Sequence, residues 1–280
     1  MHSKSELLAL LQTHQLRLTK RLGQNYLVDP HTARTLVASC RLTGKDTVIE
    51  IGAGLGAITD LLAASAKRVI AVDVDRAIAE RLRERMAAHP NVEVVCQDIL
   101  TFPWERHPGC AVVGLIPYQI TSPILVTLAE HASGISAAWL GMQREVAERL
   151  HATPGTKAYG RLTLLVQSRF ATRLVAKIPR GAFFPQPAVD SLWIELTPRR
   201  APAARVRDER LLFEVIRVAF AQRRKMLVNC LTLLSTPTLT REAARQALEE
   251  VGLRPQVRGE ELSLEQFARL TEVLRARCAH

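Results

Sequence analysis

Between residues 47 and 197, short runs of β-branched residues alternate with longer segments of helical periodicity. Thr47–Ile51 and Arg68–Val72 are typical of buried strands, and helices are predicted after them over 57–66 and 76–88. Further strands are predicted at 92–96, 111–114, 138–142, 172–178 and 192–197. Strands that alternate with helices favour a mostly parallel sheet covered on both faces. The sequence therefore predicts an α/β, Rossmann-like domain.

The pattern changes at Pro198, where a linker with two prolines and several arginines runs to Arg205. Beyond this linker the sequence has helical periodicity only, at 209–221, 226–234, 240–251 and 264–277. We therefore expect a ligand-binding α/β domain over 1–198 and a small all-α domain over 199–280. A further helix is predicted over Ser5–Arg17, ahead of the sheet.

The formal net charge of +11 is located at the two ends of the chain. Residues 1–45 have a net charge of +5, residues 199–280 have +6, and the segment between them is neutral. Most of the basic residues are arginines, whose planar guanidinium pairs with phosphate and stacks on bases. This distribution favours a nucleic-acid partner, although an arginine-rich composition of the whole proteome would produce a similar excess.

Other classes of protein fit the composition poorly. Apolar residues make up 48% of the chain and charged residues 23%, which argues against disorder. No apolar run approaches the roughly 20 residues of a membrane helix, and the N-terminus does not resemble a signal peptide. The five cysteines form no CxxC pair, and no histidines lie at metal-ligand spacing. We expect a cytoplasmic protein without a bound metal, most simply a monomer.

A glycine-rich turn follows the first strand in the segment Glu50–Gly56. Gly52, Gly54 and Ala57 fit the permissive pattern of a dinucleotide-binding turn, where glycines let a ligand approach the backbone. Asp73 ends the second strand, where its carboxylate can accept hydrogen bonds from ribose hydroxyls. This much fits a nicotinamide cofactor, S-adenosylmethionine, or a tight turn without any ligand.

Two further acids favour S-adenosylmethionine. Asp98 follows the third strand, where a carboxylate can accept a hydrogen bond from an adenine amino group. Glu50 precedes the glycines, near the expected place of the amino-acid end of the cofactor. An acid at each of the first three strand ends is more typical of a methyltransferase than of a dehydrogenase. A turn residue is the plainer explanation of Asp98 taken alone.

The segment Gly114–Tyr118 follows the fourth strand, at the sheet edge where ligands bind in such folds. The amino group of adenine is a poor nucleophile, because its lone pair is delocalised into the ring. An enzyme that methylates it needs hydrogen-bond acceptors for the N–H groups and an aromatic ring stacked on the base. Tyr118 can stack, and the carbonyl of Ile116 can accept, although Tyr118 would also suit an ordinary core position.

The motifs together resemble the bacterial small-subunit ribosomal RNA adenine dimethyltransferase family over most of the chain. The matching segments are Lys20–Leu27, Glu50–Gly56, Val72–Asp75, Gln97–Leu100, Met142–Arg149, Pro154–Gly155, Tyr159–Arg161, Phe183–Ser191, Phe220–Lys225 and Gly259–Ser263. Macrolide-resistance methyltransferases and mitochondrial relatives share the catalytic half. The last two segments favour the small-subunit enzymes.

The resemblance implies S-adenosylmethionine as methyl donor, and as acceptors two adjacent adenosines near the 3′ end of small-subunit (16S) ribosomal RNA. The partner would be the assembling small ribosomal subunit. The implied cofactor-binding residues are Asn25, Leu27, Glu50, Gly52, Gly54, Asp73, Val74, Asp98, Ile99 and Leu115. The implied catalytic residues are Leu115, Ile116, Pro117, Tyr118 and Phe183, with the target base between the two aromatic rings. RNA contacts are expected from Lys20, Arg21, Arg223, Arg224 and Lys225, although the last three would also suit a solvated helix face.

One departure from the family pattern lies in the catalytic loop, where Leu115 replaces an asparagine. The asparagine oxygen accepts one N–H of the target amine, and a leucine cannot. One unmade hydrogen bond costs roughly 1–3 kcal/mol, which corresponds to on the order of tenfold to more than a hundredfold in rate. Three explanations of Leu115 fit. The chain is an inactive variant made to trap a complex, a natural member of the family that has become a binding factor, or an enzyme that transfers methyl groups more slowly.

Three functions are therefore compared. The first is an RNA adenine N6-dimethyltransferase, supported by the three acids and the two aromatic residues. The second is an RNA-binding ribosome-assembly factor that keeps the fold with impaired catalysis, suggested by Leu115 and the basic termini. The third, a nicotinamide oxidoreductase, depends on the glycine turn alone.

Overall fold

A computed structural model describes residues 4–13, 25–201, 203–236 and 238–277. The chain divides into two compact units. The first comprises Met1–Ala147 and Ala171–Pro198, and the second comprises Glu148–Phe170 and Arg199–His280. None of the helices in the described ranges is both long and apolar enough to cross a lipid bilayer.

The first unit contains the strands and five helices among its described residues. In chain order they are α1 (Lys4–Thr13), β1 (Tyr26–Leu27), α2 (Pro30–Ser39), β2 (Thr47–Ile51), α3 (Thr59–Ser65), β3 (Arg68–Asp73), α4 (Arg76–Met86), β4 (Val92–Cys96), β5 (Cys110–Leu115), α5 (Thr121–Glu130), β6 (Ile135–Gln143), β7 (Phe170–Ile178), β8 (Phe183–Phe184) and β9 (Ser191–Pro198). The other helices are α6 (Arg144–Leu150), α7 (Arg161–Arg169), α8 (Glu209–Ala221), α9 (Leu227–Leu231), α10 (Arg241–Glu250) and α11 (Leu264–Arg277).

Seven strands form one sheet in the order β4-β3-β2-β5-β6-β9-β7. The strands from β4 to β6 pair in parallel, and β9 pairs with β6 in antiparallel orientation. The predicted α/β class with a mostly parallel sheet is confirmed. The chain leaves β2 in one direction to β3 and β4, then returns to β5 on the other side. This reversal opens a crevice at the carboxyl ends of β2 and β5, where open α/β sheets bind ligands.

The central strands are apolar on both faces because helices cover both sides of the sheet. In β3, the residues from Val69 to Val72 are at most 1% exposed. Helix α4 begins where a side chain caps it: Asp75 accepts hydrogen bonds from the N–H groups of Ala77 and Ile78. A carboxylate just after β3 therefore fixes where the chain turns into the next helix.

The second unit is helical in its described part and has a core of its own. Residues of α8 to α11 pack there with Ala152, Tyr159 and Leu164. The Tyr159 hydroxyl donates to the carbonyl of Leu262 at 2.8 Å. The sequence assigned 148–170 to the α/β domain, and the structure corrects this assignment. This segment belongs to the second unit because its apolar residues pack against the C-terminal helices, although it precedes the linker in the sequence.

Most predicted bounds agree with the structure to within a few residues. Helices α8 and α11 have the bounds predicted for them. Helix α9 is shorter than the predicted 226–234, and α2 and α7 were not predicted. The predicted N-terminal helix extends over Lys4–Thr13, and the rest of its predicted range, 14–17, lies outside the described residues.

Candidate functional site

A cavity of about 260 Å³ lies in the first unit, at the carboxyl ends of β2, β3 and β5. Every residue predicted from the sequence to bind the cofactor or act in catalysis lines this cavity. These residues are Asn25, Leu27, Glu50, Gly52, Gly54, Asp73, Val74, Asp98, Ile99, Leu115, Ile116, Pro117, Tyr118 and Phe183. Residues separated by more than 150 positions thus meet around one space. In the part of the chain that the structure describes, no cluster of His, Cys, Asp or Glu could hold a metal ion.

The glycine turn after β2 follows a path that side chains would obstruct. Gly52 and Gly54 have φ angles of +66° and +56°, in the left-handed region that favours glycine. A Cβ on Gly54 would lie 3.2 Å from the ring of Tyr26. The turn is drawn toward β3 because the N–H of Gly54 donates to a carboxylate oxygen of Asp73 at 2.8 Å. Backbone therefore forms this wall of the cavity.

Arg85, on α4, braces the same turn from outside the cavity. Its guanidinium donates to the carbonyls of Leu55 and Gly56 and forms an ion pair with Asp60. About four-fifths of the Arg85 side chain is buried, which reduces competition from water. This role of Arg85 has no signal in the sequence, because the pattern of an amphipathic helix does not distinguish an arginine that contacts a loop from one that faces solvent. The contact fixes the turn at two successive carbonyls.

Glu50 is 1% exposed at the end of β2, and its side chain lines the cavity. The hydroxyl of Thr59 donates to Glu50 Oε2 at 2.7 Å. Burial raises the pKa of the Glu50 carboxyl to about 8, even though the Thr59 hydrogen bond lowers it. A group that is partly protonated near neutral pH can respond to a positive charge placed beside it.

Asp73 and Asp98 complete the series of acids at the strand ends. One carboxylate oxygen of Asp73 accepts from Gly54, and the other accepts from the N–H of Asp75 at 2.9 Å. Burial raises the pKa of Asp73, which these backbone hydrogen bonds oppose. Each oxygen keeps a second lone pair for a ligand. Asp98 is exposed and accepts from the N–H of Leu100 at 2.9 Å, so it caps a short turn at the cavity edge.

The two aromatic residues predicted to hold the target base come from separate segments of the chain. Tyr118 follows β5, and its phenol oxygen lies 2.8 Å from the hydroxyl of Ser191, which lines the cavity and is 1% exposed. Burial raises the pKa of the phenol, so it stays protonated at neutral pH. Phe183 lies in β8, which pairs with β1 so that Phe183 stands opposite Leu27. Sequence analysis missed both Ser191 and this two-stranded ribbon.

Leu115 ends β5 and is half-buried at the cavity. Its side chain packs against the apolar cluster under this part of the sheet, which includes Ile178 and Trp193. The next residue, Ile116, is buried, and its N–H donates to the carbonyl of Gly141 at 3.0 Å. The loop that contains Tyr118 thus begins from a position fixed by β6.

Three of the five residues predicted to contact RNA lie in the part of the chain that the structure describes. Lys20 and Arg21 lie outside the described residues. Arg224 and Lys225, in the second unit, are exposed. Arg223 instead forms an ion pair with Glu260 and donates to two backbone carbonyls, those of Thr156 and Lys157. The guanidinium of Arg223 therefore has a structural role within its own unit, and the RNA contact predicted for it stays a prediction.

Comparisons with known proteins agree with the motifs. The model of the family described as ribosomal RNA adenine dimethylase matches residues 15–276. A ribosomal RNA small subunit methyltransferase A from Geobacillus thermodenitrificans (strain NG80-2) is 39% identical over 276 residues, which cover 95% of this chain and 94% of the relative. The protein of the same name from Bacillus mycoides (strain KBAB4) is 38% identical over 274 residues, with the same coverage.

Two solved structures resemble the whole fold. The crystal structure of a dimethyladenosine transferase from Plasmodium falciparum has a TM-score of 0.73 and 25% identity, covering 86% of this chain and 94% of that one. The 23S rRNA methyltransferase ErmE has a TM-score of 0.66 and 31% identity, covering 90% of this chain and all of that one. The resemblance found in the motifs is confirmed, and the chain belongs to the ribosomal RNA adenine dimethylase family.

Proposed function

We propose that this protein transfers methyl groups from S-adenosylmethionine to N6 of two adjacent adenosines near the 3′ end of 16S ribosomal RNA. The acceptor would be the small ribosomal subunit during its assembly in the cytoplasm, approached by a monomer. The observation that supports this proposal best is the shared cavity, where three strand-end acids and two aromatic rings line one space. The small-subunit relatives at 38–39% identity favour this substrate over large-subunit RNA.

The residues of the cavity fit S-adenosylmethionine. Glu50 and the backbone at Gly52 suit its charged amino-acid part, because a buried carboxyl can neutralise an ammonium group. Asp73 keeps acceptor capacity for ribose hydroxyls, and Asp98 can accept from the adenine amino group. Val74 is 54% exposed, an apolar surface suited to the adenine ring. When bound, the cofactor supplies an electrophilic methyl group on a sulfonium.

The other end of the cavity suits an adenine removed from its stack. Tyr118 and Phe183 offer aromatic surfaces, and stacking contributes roughly 1–3 kcal/mol per base. That gain offsets part of the cost of unstacking, a few kcal/mol in enzymes that modify bases. The carbonyl of Ile116 is the predicted acceptor for one N–H of the target amine. The Tyr118–Ser191 hydrogen bond would hold in place the phenol end of the ring that the base stacks on.

Leu115 supports a second candidate function, an rRNA-binding ribosome-assembly factor with impaired catalysis. The side chain at this position has no acceptor, so the second N–H of the target amine loses a hydrogen bond. Binding to the subunit does not require that bond, because phosphate contacts supply most of the affinity of such proteins. Both candidates share the fold, the cofactor and the partner, and they differ in the rate of methyl transfer.

One assay separates the candidates. The purified protein is incubated with S-adenosylmethionine labelled in its methyl group and with small subunits that lack the modification, and label in 16S RNA is measured. We expect transfer by this chain and faster transfer by Leu115→Asn. Transfer by Leu115→Asn alone would support the assembly factor. If neither protein transfers label although both bind the subunit, the methyltransferase proposal fails. Large subunits are the matched control substrate.

A further inference from the structure

Gly141 lies in the interior of β6. The backbone conformation at this position does not require a glycine. Its φ angle is not in the left-handed region, so any residue could adopt the same backbone conformation. It pairs with Leu115 on one side and with Trp193 on the other. A glycine inside a strand weakens the strand and often marks a close approach by another group. The absence of a side chain at this position therefore needs an explanation from its neighbours.

The neighbours of Gly141 supply that explanation. A Cβ at this position would lie 2.5 Å from Leu115 Cδ2, which is closer than two non-bonded carbon atoms can approach each other. The same Cβ would lie 3.3 Å from the Trp193 ring and 3.4 Å from Ile178 Cδ1. The space above the Gly141 backbone is thus occupied by a methyl group of Leu115. Gly141 also lines the cavity, so this space borders the site.

We propose that Gly141 is a positioning residue for the target-base pocket: it accepts the Leu115 side chain and so keeps the cavity open beside Tyr118. This inference deepens the proposed function and depends on it for the identity of the base. A leucine held over a bare backbone presents its methyl groups to Trp193 and Ile178. Because Trp193 and Ile178 occupy other sides of that Cβ, we expect a leucine displaced by a side chain at 141 to move toward the cavity that it lines.

The proposal makes the two positions interdependent. Leu115 is compatible with base binding only because residue 141 is a glycine. An asparagine at position 115 is polar and is expected to face the target amine, so it does not need the space over Gly141. A side chain at 141 should accordingly damage the chain with Leu115 much more than it damages the Leu115→Asn variant. Two unrelated substitutions would instead have independent effects.

A cycle of four proteins tests the dependence: the natural chain, Gly141→Ala, Leu115→Asn, and the double variant. Methyl transfer to small subunits and the thermal unfolding midpoint are measured for each. We expect Gly141→Ala alone to lower kcat about tenfold to a hundredfold through misplacement of the base. In the Leu115→Asn background the same change at 141 should cost at least about tenfold less, with KM for subunits little changed. Gly134→Ala is the matched control, because a Cβ there meets nothing within 4 Å.

Equal losses from Gly141→Ala in both backgrounds, or no loss in either, would overturn the proposal. The thermal unfolding midpoints of the four proteins test whether residues 141 and 115 interact, independently of activity. The midpoint should fall in Gly141→Ala, where a clash displaces Leu115, and rise again when Leu115→Asn is added. If none of the four proteins transfers methyl groups, the proposed function fails, while the stability cycle still supports or rejects the pairing of Gly141 with Leu115.

Discussion

The phenol oxygen of Tyr118 lies 2.8 Å from the hydroxyl oxygen of Ser191. The two residues are 73 positions apart, one in the loop after β5 and the other at the first position of β9. Both line the cavity, and Ser191 is 1% exposed. The orientation of the ring on which the target base would stack is therefore set from a strand on the far side of β6.

Replacing Ser191 by alanine should lower kcat for methyl transfer by roughly threefold to tenfold. The lost hydrogen bond leaves the phenol end of the ring unanchored, at a cost of about 0.5–1.5 kcal/mol. Affinity for the cofactor should stay the same, because the contact lies at the Tyr118 end of the cavity. Steady-state kinetics and calorimetric titration of S-adenosylmethionine check the two expectations.

Two further variants serve as controls for this hydrogen bond. Ser191→Thr keeps the hydroxyl and should retain most of the activity. Tyr118→Phe keeps the aromatic ring and removes the other partner, so its loss should not add to that of Ser191→Ala. Additive losses would show that the two hydroxyl groups act independently.

A second prediction concerns the brace on the glycine turn. Arg85→Ala should weaken S-adenosylmethionine binding about tenfold, or roughly 1.4 kcal/mol, because two carbonyls of the turn lose their contact with the guanidinium and Asp60 loses one of its ion pairs. Arg85→Lys should recover only part of this, since an ammonium cannot reproduce the planar fork of a guanidinium. Calorimetric titration measures both affinities.

Arg81, on the same helix, provides the matched control. It forms an ion pair with Glu84 at 2.7 Å on the outer surface of α4, a contact that contributes little to stability. Arg81→Ala should leave the cofactor affinity as it is. An equal loss in both variants would mean that the effect comes from the charge of the helix, and not from the brace.

The sequence predicted those parts of the site that depend on strand ends. Glu50, Asp73 and Asp98 each lie at or just after the end of a predicted strand, and parallel strands bring their carboxyl ends to one edge of a sheet. The glycines were recognisable because a turn with positive φ at Gly52 and Gly54 excludes most other residues. Local pattern and topology together were sufficient for these positions.

The remaining parts of the site depend on contacts between segments that are distant in the sequence, and a local sequence pattern does not predict such contacts. Ser191 and Arg85 act on residues 73 and 30 positions away, and neither has a sequence signal of its own. Gly141 is notable only once Leu115 lies over it. The segment 148–170 was assigned to the wrong unit because its partners, including Leu262, follow it by about a hundred residues.

A third prediction concerns pH and Glu50. Its pKa is about 8 in the folded protein against an ordinary value of 4.5, so between these values the folded chain holds a proton that the unfolded chain has lost. The free energy of unfolding should therefore fall as the pH rises from 4.5 through 8. In Glu50→Gln, which is neutral throughout, this contribution disappears. Urea unfolding across this pH range measures the difference.

The sign of the difference is the critical result. Glu50→Gln should gain stability relative to the natural chain as the pH increases, and the two should converge in acid. Glu105→Gln, at an exposed position, is the control for removal of one negative charge. Unfolding curves for Glu50→Gln that stay parallel to those of the natural chain would show that Glu50 is already ionised when the protein is folded.

The last prediction uses two adjacent arginines of the second unit. Arg223 is held by Glu260 and by the carbonyls of Thr156 and Lys157, whereas Arg224 is exposed. Arg223→Ala should lower the free energy of unfolding by roughly 2 kcal/mol, because hydrogen bonds to a charged group are lost. Arg224→Ala should leave stability unchanged and weaken binding to 16S RNA at low salt.

Salt dependence separates the two roles. If Arg224 neutralises a phosphate, its removal should reduce the slope of log K against log salt for RNA binding by about one. Arg223→Ala, measured at a temperature where it stays folded, should keep the slope of the natural chain. S-adenosylmethionine affinity should barely respond to salt in any of the three proteins, since its site lies in the neutral middle of the sequence. A reduced slope in Arg223→Ala with an unchanged slope in Arg224→Ala would reverse the assignment, because the ion pair with Glu260 would then have to open for RNA.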